Sequence, residues 1–404
     1  MSAGAEFQER AGGVCAAQGV RAASVTAGLK ESGRPDMTLL VFDPPARAAG
    51  VYTQNRVCAA PVTLCKSRVG AGPLRAILVN SGVANACTGG EGHSRAERLC
   101  RAVAGRLECP EEEVVMASTG IIGVQLPVEK MEGALDGLVA GLTPEGGEAS
   151  AEAIMTTDTR PKLCAIEAPL PGGTVRLGGM SKGAGMIAPD LATMLAFLTT
   201  DAEVAEADLA RLLRAACAET FNCITIDGDT STNDTVLLAA TGVSGVRAEG
   251  EEALSRLGAG LLEVCRRLAL AIVRDGEGVT KVVRVRVGGA ADAADARRAA
   301  RVVAESPLVK TSFFGGLPNW GRIFMAAGRS GARLDMERMA LRIGDVEVVR
   351  GGAPVEGWEE PLARVLQESE FEVDLELGVG EAEAVFWTTD FSYDYVRINA
   401  EYRT

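Results

Sequence analysis

Histidine is almost missing from this chain: one imidazole, His93, stands among 404 residues. A Ser-His-Asp or Cys-His enzyme needs its imidazole beside the nucleophile, and a histidine-rich metal site is excluded outright. His93 sits in the polar stretch CTGGEGHSR and reads as a solvated loop residue. Basic runs are missing too. With 41 Lys and Arg against 54 Asp and Glu the net charge is −13, whereas a nucleic-acid binder needs basic faces to neutralise phosphates. The ten cysteines never fall as C-x-x-C, and none lies beyond Cys265. That excludes a disulfide framework and a zinc site and leaves most of them as small buried hydrophobes of a reducing compartment. No apolar run approaches the roughly 20 residues that span a bilayer, and MSAGAEFQER has no apolar signal core. The expectation is a cytoplasmic protein that binds neither nucleic acid nor membrane.

What is abundant is apolar surface (47 %) and glycine (48 residues). The first permits a large core and the second implies tight turns and close backbone approaches. The length suits two domains or three. Up to about residue 110 the chain reads as short strands: TLLVFD, AGVYTQNR and LRAILVNSG, bounded by Gly, Pro and Asn. A helix is expected over 94–107, then the strand VVMAS and a glycine-rich corner at 119–123. A further helix is expected over 144–155. ATMLAFLTT reads as a buried strand, after which Asp201 is placed as the cap of a helix carrying Leu209, Leu212, Leu213 and Ala216 at helical spacing. A second amphipathic helix covers 251–273. Composition shifts near residue 280, where VVRVRV and FEVDLEL alternate with period two around the helix ADARRAARVVAES. This places a first, larger domain at 1–282 and a smaller α+β domain at 283–404.

Three motifs tempt and fail. Gly179–Gly183 matches the G-x-S-x-G elbow, but that arrangement needs a histidine downstream of the serine, and His93 lies upstream. Gly183–Ala188 matches G-x-G-x-x-A, which works only where its turn opens a helix; here Pro189 and a strand follow. The acidic run Asp227–Asp234 has Thr232 and Leu238 where a calcium loop needs glycine and glutamate, so it reads as a polar corner held by Asx-type hydrogen bonds. Hydroxyl chemistry without histidine remains. A threonine that becomes a chain N-terminus can use its own α-amine, pKa about 7.7–8.0, as base for its Oγ. Composition and spacing do not say which threonine.

Residues 182–195, KGAGMIAPDLATML, closely resemble the self-cleavage region of the ornithine acetyltransferases, which are glutamate N-acetyltransferases. The likeness continues through NSGVANACTG, STGIIG, MTTDTRPK, FNCITIDGDTSTND, DGEGVTK, SPLVKTSFFGGLPNWGRI and the terminal SYDYVRINAEYRT. Ser81 and Val83 depart from that family's usual residues. The resemblance implies a layered α/β/β/α fold of the N-terminal-nucleophile kind, with the C-terminal tail returning to the site. It implies a cut between Ala192 and Thr193, with Thr193 as nucleophile and Thr119 and Gly120 as oxyanion hole. It also implies substrate contacts from Thr156, Lys182, Thr193, Glu277, Asn399 and Thr404. The implied reaction moves acetyl from N²-acetylornithine to L-glutamate through an acetyl-threonine, with no metal or organic cofactor, in a heterotetramer of two copies of each fragment. Whether acetyl-CoA is a second donor is left open. So are two rivals: an N-terminal-nucleophile amidase or aminopeptidase, and a nucleotide-binding module at the Gly183 region.

Overall fold

The computed structural model describes residues 7–188 and 194–401. The expected cut between Ala192 and Thr193, and the tail residue Thr404, lie outside the described residues. The first part of the chain contributes strands β1 (Gln8–Glu9), β2 (Val20–Val25), β3 (Met37–Tyr52), β4 (Leu74–Val83), β5 (Val114–Ile121), β6 (Lys162–Leu170), β7 (Gly173–Lys182), β8 (Leu195–Thr200) and β9 (Thr235–Ala240). Between them run helices α1 (Ala60–Arg68), α2 (Gly89–Leu107), α3 (Val128–Ala140), α4 (Gly147–Ala153), α5 (Glu206–Glu219) and α6 (Gly250–Val273).

The strands pair in the order β1-β6-β7-β8-β9-β3-β4-β5, with β2 on the other edge of β3. TLLVFD and AGVY belong to one long strand, β3, rather than to two. Its first half pairs with β2 and β4, and its second half, Arg47–Tyr52, pairs with β9. Between the halves stand Pro44 and Pro45, which have no N–H to offer a ladder, and the register against β4 slips there. The chain thereby passes from one sheet layer to the next.

Side-chain alternation then builds three cores. Ile77 and Val79 of β4 meet Leu195 and Phe197 of β8 and Leu237 of β9 between the layers. The opposite residues of β4, Ala76 and Leu78, pack under α2 and α3. Ala196 and Leu198 of β8 and Val236 and Leu238 of β9 pack under α5 and α6. The order of layers is α/β/β/α, as the resemblance implied. Strands buried on both faces carry continuous apolar runs, which is why LRAILV and LAFL were legible.

Beyond α6 come β10 (Val282–Ala290), α7 (Ala293–Ala304), α8 (Pro307–Gly315), α9 (Gly321–Gly328), β11 (Ala340–Ile343), β12 (Val346–Arg350), β13 (Ala353–Pro354), α10 (Glu359–Val365), β14 (Glu370–Glu376), β15 (Ala382–Thr389) and α11 (Tyr393–Glu401). Their sheet has the order β13-β12-β11-β14-β10-β15 and its own apolar core. FEVDLEL is the half-buried strand expected, with Phe371, Val373 and Leu375 inside.

Several local expectations need correction. The helix expected from residue 94 begins at Gly89, so His93 is exposed on a helix and not in a loop. The helix at 144–155 shortens to Gly147–Ala153. Asp201 caps nothing: α5 starts at Glu206, and the Asp201 carboxylate accepts the Arg176 and Gln18 N–H groups instead. Thr119 and Gly120 are not in a turn but are the last residues of β5 before Ile121.

Candidate active site

Six of the residues singled out in the sequence line one cavity of about 80 Å³: Thr119, Gly120, Thr156, Lys182, Glu277 and Asn399. Topology brings them there. Lys182, the last residue of β7, pairs with Leu195 at the start of β8, and Leu195 pairs with Thr235 at the start of β9. Thr119 and Gly120 close β5 in the other layer. Asn233, just before β9, ties the layers together at this end, its side-chain amide donating to the Ala84 and Ser118 carbonyl oxygens at 2.7 and 2.8 Å. Gly120 has φ +131°, and a Cβ there would sit 2.3 Å from the Gly82 carbonyl carbon on β4. No other residue fits that position.

Lys182 is almost completely buried. Its ammonium donates to Thr156 Oγ1 at 2.7 Å and Thr119 Oγ1 at 3.3 Å. Behind it lies a buried charge chain that the sequence reading missed. Asp158 accepts the Gly183 N–H (2.7 Å), the Thr156 N–H (3.0 Å) and the Lys162 ammonium (2.6 Å). Lys162 also reaches Asp275 at 2.5 Å, and Asp275 holds the Thr159 N–H. Burial alone would raise the Asp158 pKa, but Lys182, Lys162 and the Gly183 N–H outweigh it and bring the carboxyl down to about 2. Burial lowers the Lys182 pKa, partly offset by Asp158.

The loop Gly183–Ala188 is clamped from three sides. Asp158 holds Gly183, the Glu277 N–H donates to the Ala184 carbonyl at 2.8 Å, and Asp227 accepts the Met186 and Ile187 N–H groups at 2.5 and 2.8 Å. Met186 has φ +56°, a left-handed conformation that costs a residue with a Cβ about 1–2 kcal/mol; the Asp227 bonds hold it there. Burial pushes the Asp227 carboxyl up to about 6 despite those bonds. Among the described residues no helix opens at this loop, and the next element is strand β8, so the dinucleotide reading of Gly183–Ala188 gains no support from them. The polar corner is real: the Asp229 N–H bonds back to Asp227 and the Asn233 N–H to Ser231 Oγ.

Beyond the clamp, Asp234 accepts the Met194 N–H at 2.9 Å, and burial holds its carboxyl well above the ordinary range. Met194 directly follows Thr193 in sequence. From the other side, Asn399 on α11 donates to Glu277 Oε2 at 2.8 Å. This helix is anchored by Ser392 Oγ donating to the Gly278 carbonyl (2.5 Å) and by Tyr393 packed edge-on against Phe314. The C-terminal helix therefore does reach the site. A larger cavity of about 390 Å³ opens outside the first and shares Ile122, Met186, Thr232 and Asn399 with it.

The described residues contain no cluster of His, Cys, Asp and Glu able to hold a metal ion. What the geometry gathers at one cavity is the Lys182 ammonium, the Glu277 carboxylate, and Thr119 and Gly120 near the end of β5. A family model described as the ArgJ family matches residues 21–404. The chain belongs to the ArgJ family. Curated relatives named arginine biosynthesis bifunctional protein ArgJ share 47 % identity in Thermosynechococcus vestitus, covering 98 % of this chain and 99 % of that one. The ArgJ protein of Symbiobacterium thermophilum shares 48 % with the same coverage, and that of Geobacter sulfurreducens shares 48 % over 96 % of this chain and 99 % of its own. Membership in the ArgJ family confirms the resemblance read from the motifs. Among the described residues no helix is long and apolar enough to cross a membrane.

Proposed function

We propose that this ArgJ-family chain is an arginine-biosynthesis enzyme that moves an acetyl group from N²-acetylornithine to L-glutamate through a threonine ester. The observation that carries the reading is the convergence of Thr119, Gly120, Thr156, Lys182, Glu277 and Asn399 on one cavity, where Lys182 pairs across the sheet with Leu195, two residues after Thr193. The chain first cuts itself between Ala192 and Thr193. Thr193 Oγ then attacks the acetyl carbonyl carbon while its own α-amine takes the hydroxyl proton. The charge that develops on the carbonyl oxygen is met by the Thr119 hydroxyl and the Gly120 N–H, each such donor worth about 3–4 kcal/mol. The C–N bond breaks, the α-amine returns the proton to the departing nitrogen, and ornithine leaves. Glutamate enters with a neutral amine, attacks the acetyl-threonine ester, and regenerates free Thr193 as N-acetylglutamate departs. Amide is exchanged for amide, so no metal or organic cofactor is needed.

Lys182 suits a substrate carboxylate and Glu277 the ornithine ammonium. Thr156 and Asn399 complete the contacts, with Thr404 of the tail added by the family motif. The catalytic domain is placed at 1–282 and the α+β domain at 283–404. The two fragments stay together, as a heterotetramer of two of each, in the cytoplasm. Acetyl-CoA as a second donor is tested directly by supplying it with glutamate in place of N²-acetylornithine. The function is tested by feeding N²-acetylornithine with and without glutamate. Formation of N-acetylglutamate with ornithine supports it; acetate release at the same rate either way identifies a hydrolase instead.

A further inference from the structure

Lys182 is 3 % exposed, yet among the described residues it has no ion-pair partner; the neighbouring carboxylates of Asp158 and Asp275 go to Lys162. Its hydrogen bonds run to two hydroxyls, Thr156 Oγ1 and Thr119 Oγ1. An ammonium can only donate, and a hydroxyl has one proton and two acceptor lone pairs. Both threonine oxygens therefore accept from Lys182, and each keeps its own proton for another partner. For Thr119 that direction includes the cavity, which its side chain and Gly120 line together. Hydrogen bonds in a chain polarise one another in a low-dielectric site, so a hydroxyl that accepts from a cation is a stronger donor than one that does not.

We propose that Lys182 is a positioning residue for the oxyanion hole: by donating to Thr119 Oγ1 its ammonium turns and polarises the Thr119 proton toward the substrate oxygen. This deepens the function proposed above and rests on Thr119 serving as an oxyanion donor. It gives the buried cation a role in the chemical step besides neutralising a substrate carboxylate. The surroundings are built to hold it. Asp158 fixes both flanks of the bridge, through the Gly183 N–H next to Lys182 and the Thr156 N–H opposite. Burial and Lys162 work against the Lys182 charge, and Asp158, Glu277 and Asp234 support it. Lys30, itself lowered to about 8 by burial, adds a further repulsion. The ammonium is thus lost at lower pH than an ordinary lysine's, and kcat should fall on the alkaline side as it goes.

A double-mutant cycle tests the coupling. Acetyl transfer is measured on the full-length enzyme with Thr119→Val, Lys182→Met and both, per molecule of cut chain counted on a denaturing gel. Each single change should lower kcat on the order of 100-fold. The double should fall no more than about threefold below the slower single, because both remove one unit. Losses that multiply, or Lys182→Met raising KM with kcat intact, would overturn the proposal. Thr119→Val with unchanged kcat would instead remove the oxyanion reading on which it rests. Where Lys182→Met does not cut, Asp158→Asn supplies the reading. Weaker support for the ammonium should move the alkaline fall in kcat to lower pH, and that shift should vanish in the Thr119→Val background. A profile that does not move, or that moves equally without the Thr119 hydroxyl, would overturn the proposal as well.

Discussion

The Glu277 carboxylate rests on the bare Cα of Gly185: a Cβ at that glycine would fall 2.5 Å from Oε2 and 2.6 Å from Oε1. Position 185 and the placement of Glu277 are therefore one feature, although 92 residues separate them in the chain. Gly185→Ala should push the carboxylate out of line and act like Glu277→Gln. A charge-assisted hydrogen bond contributes about 1.5–3 kcal/mol, so both variants should raise KM for N²-acetylornithine by roughly ten- to a hundredfold, with a smaller fall in kcat. A large loss of kcat at constant KM would make Glu277 a participant in the chemistry.

Lys162 is the only direct ion-pair partner of Asp158 among the described residues, and it also pairs Asp275. Lys162→Met keeps the volume but leaves buried Asp158 without its direct ion-pair partner and Asp275 facing the exposed Arg160 at 4.0 Å. Breaking a buried pair on one side costs about 3–5 kcal/mol, and urea unfolding at pH 7 should show a loss of that size. A loss under about 1 kcal/mol, the scale of an exposed pair, would mean that water reaches the site. Asp158, held at about 2, contributes stability that is complete above its unfolded pKa of about 3.9 and is lost as pH falls toward 2.

Asp227 has the opposite sign. Its folded carboxyl titrates at about 6, above the unfolded value of about 3.9. Between those values the folded chain binds the extra proton, so lowering the pH stabilises the fold through this group. From pH 7 to pH 5 the gain is on the order of 1 kcal/mol. Asp227→Asn should lose that gain, measured as the difference between the two proteins' urea unfolding free energies at pH 7 and pH 5. An identical pH response in both would show that the carboxyl is not protonated in this range.

His93 is exposed on α2, with Nδ1 3.3 Å from the Gly89 carbonyl oxygen, and lines neither cavity. His93→Gln should leave rate and pH profile almost unchanged. A drop of about 100-fold or more, the lower bound for losing a general base, would return proton transfer to the imidazole.

Much of the fold was legible where burial is two-sided or strictly alternating, as in LRAILV, LAFL and FEVDLEL. Helix α6 was legible from its regular apolar spacing. Helix α3 was not, since Gly133 and Gly137 dilute the propensity of VEKMEGALDGLVA and its core contacts come from tertiary packing. The same holds for Asp201, whose capping signal was overridden by the Arg176 and Gln18 amides. At the site, six of the residues carried over from the motifs line one cavity, while Thr193 and Thr404 lie outside the described residues. Asp158 did not stand out, and Asp227 and Asp234 were read only as parts of a polar corner, though each lies inside a quoted motif. Their importance comes from pairing with Lys162, the 186–187 amides and the Met194 amide, partners that only folding brings near. A polar, acidic run does not reveal which aspartate will be buried.

The most direct test of Thr193 chemistry is to run the purified protein on a denaturing gel and sequence the N-termini of its bands. The expected result is two fragments, each close to half the chain, the second beginning Thr193-Met194-Leu195, with Thr193→Ala remaining one full-length inactive chain. A wild-type protein that stays uncut and is fully active in acetyl transfer would contradict it.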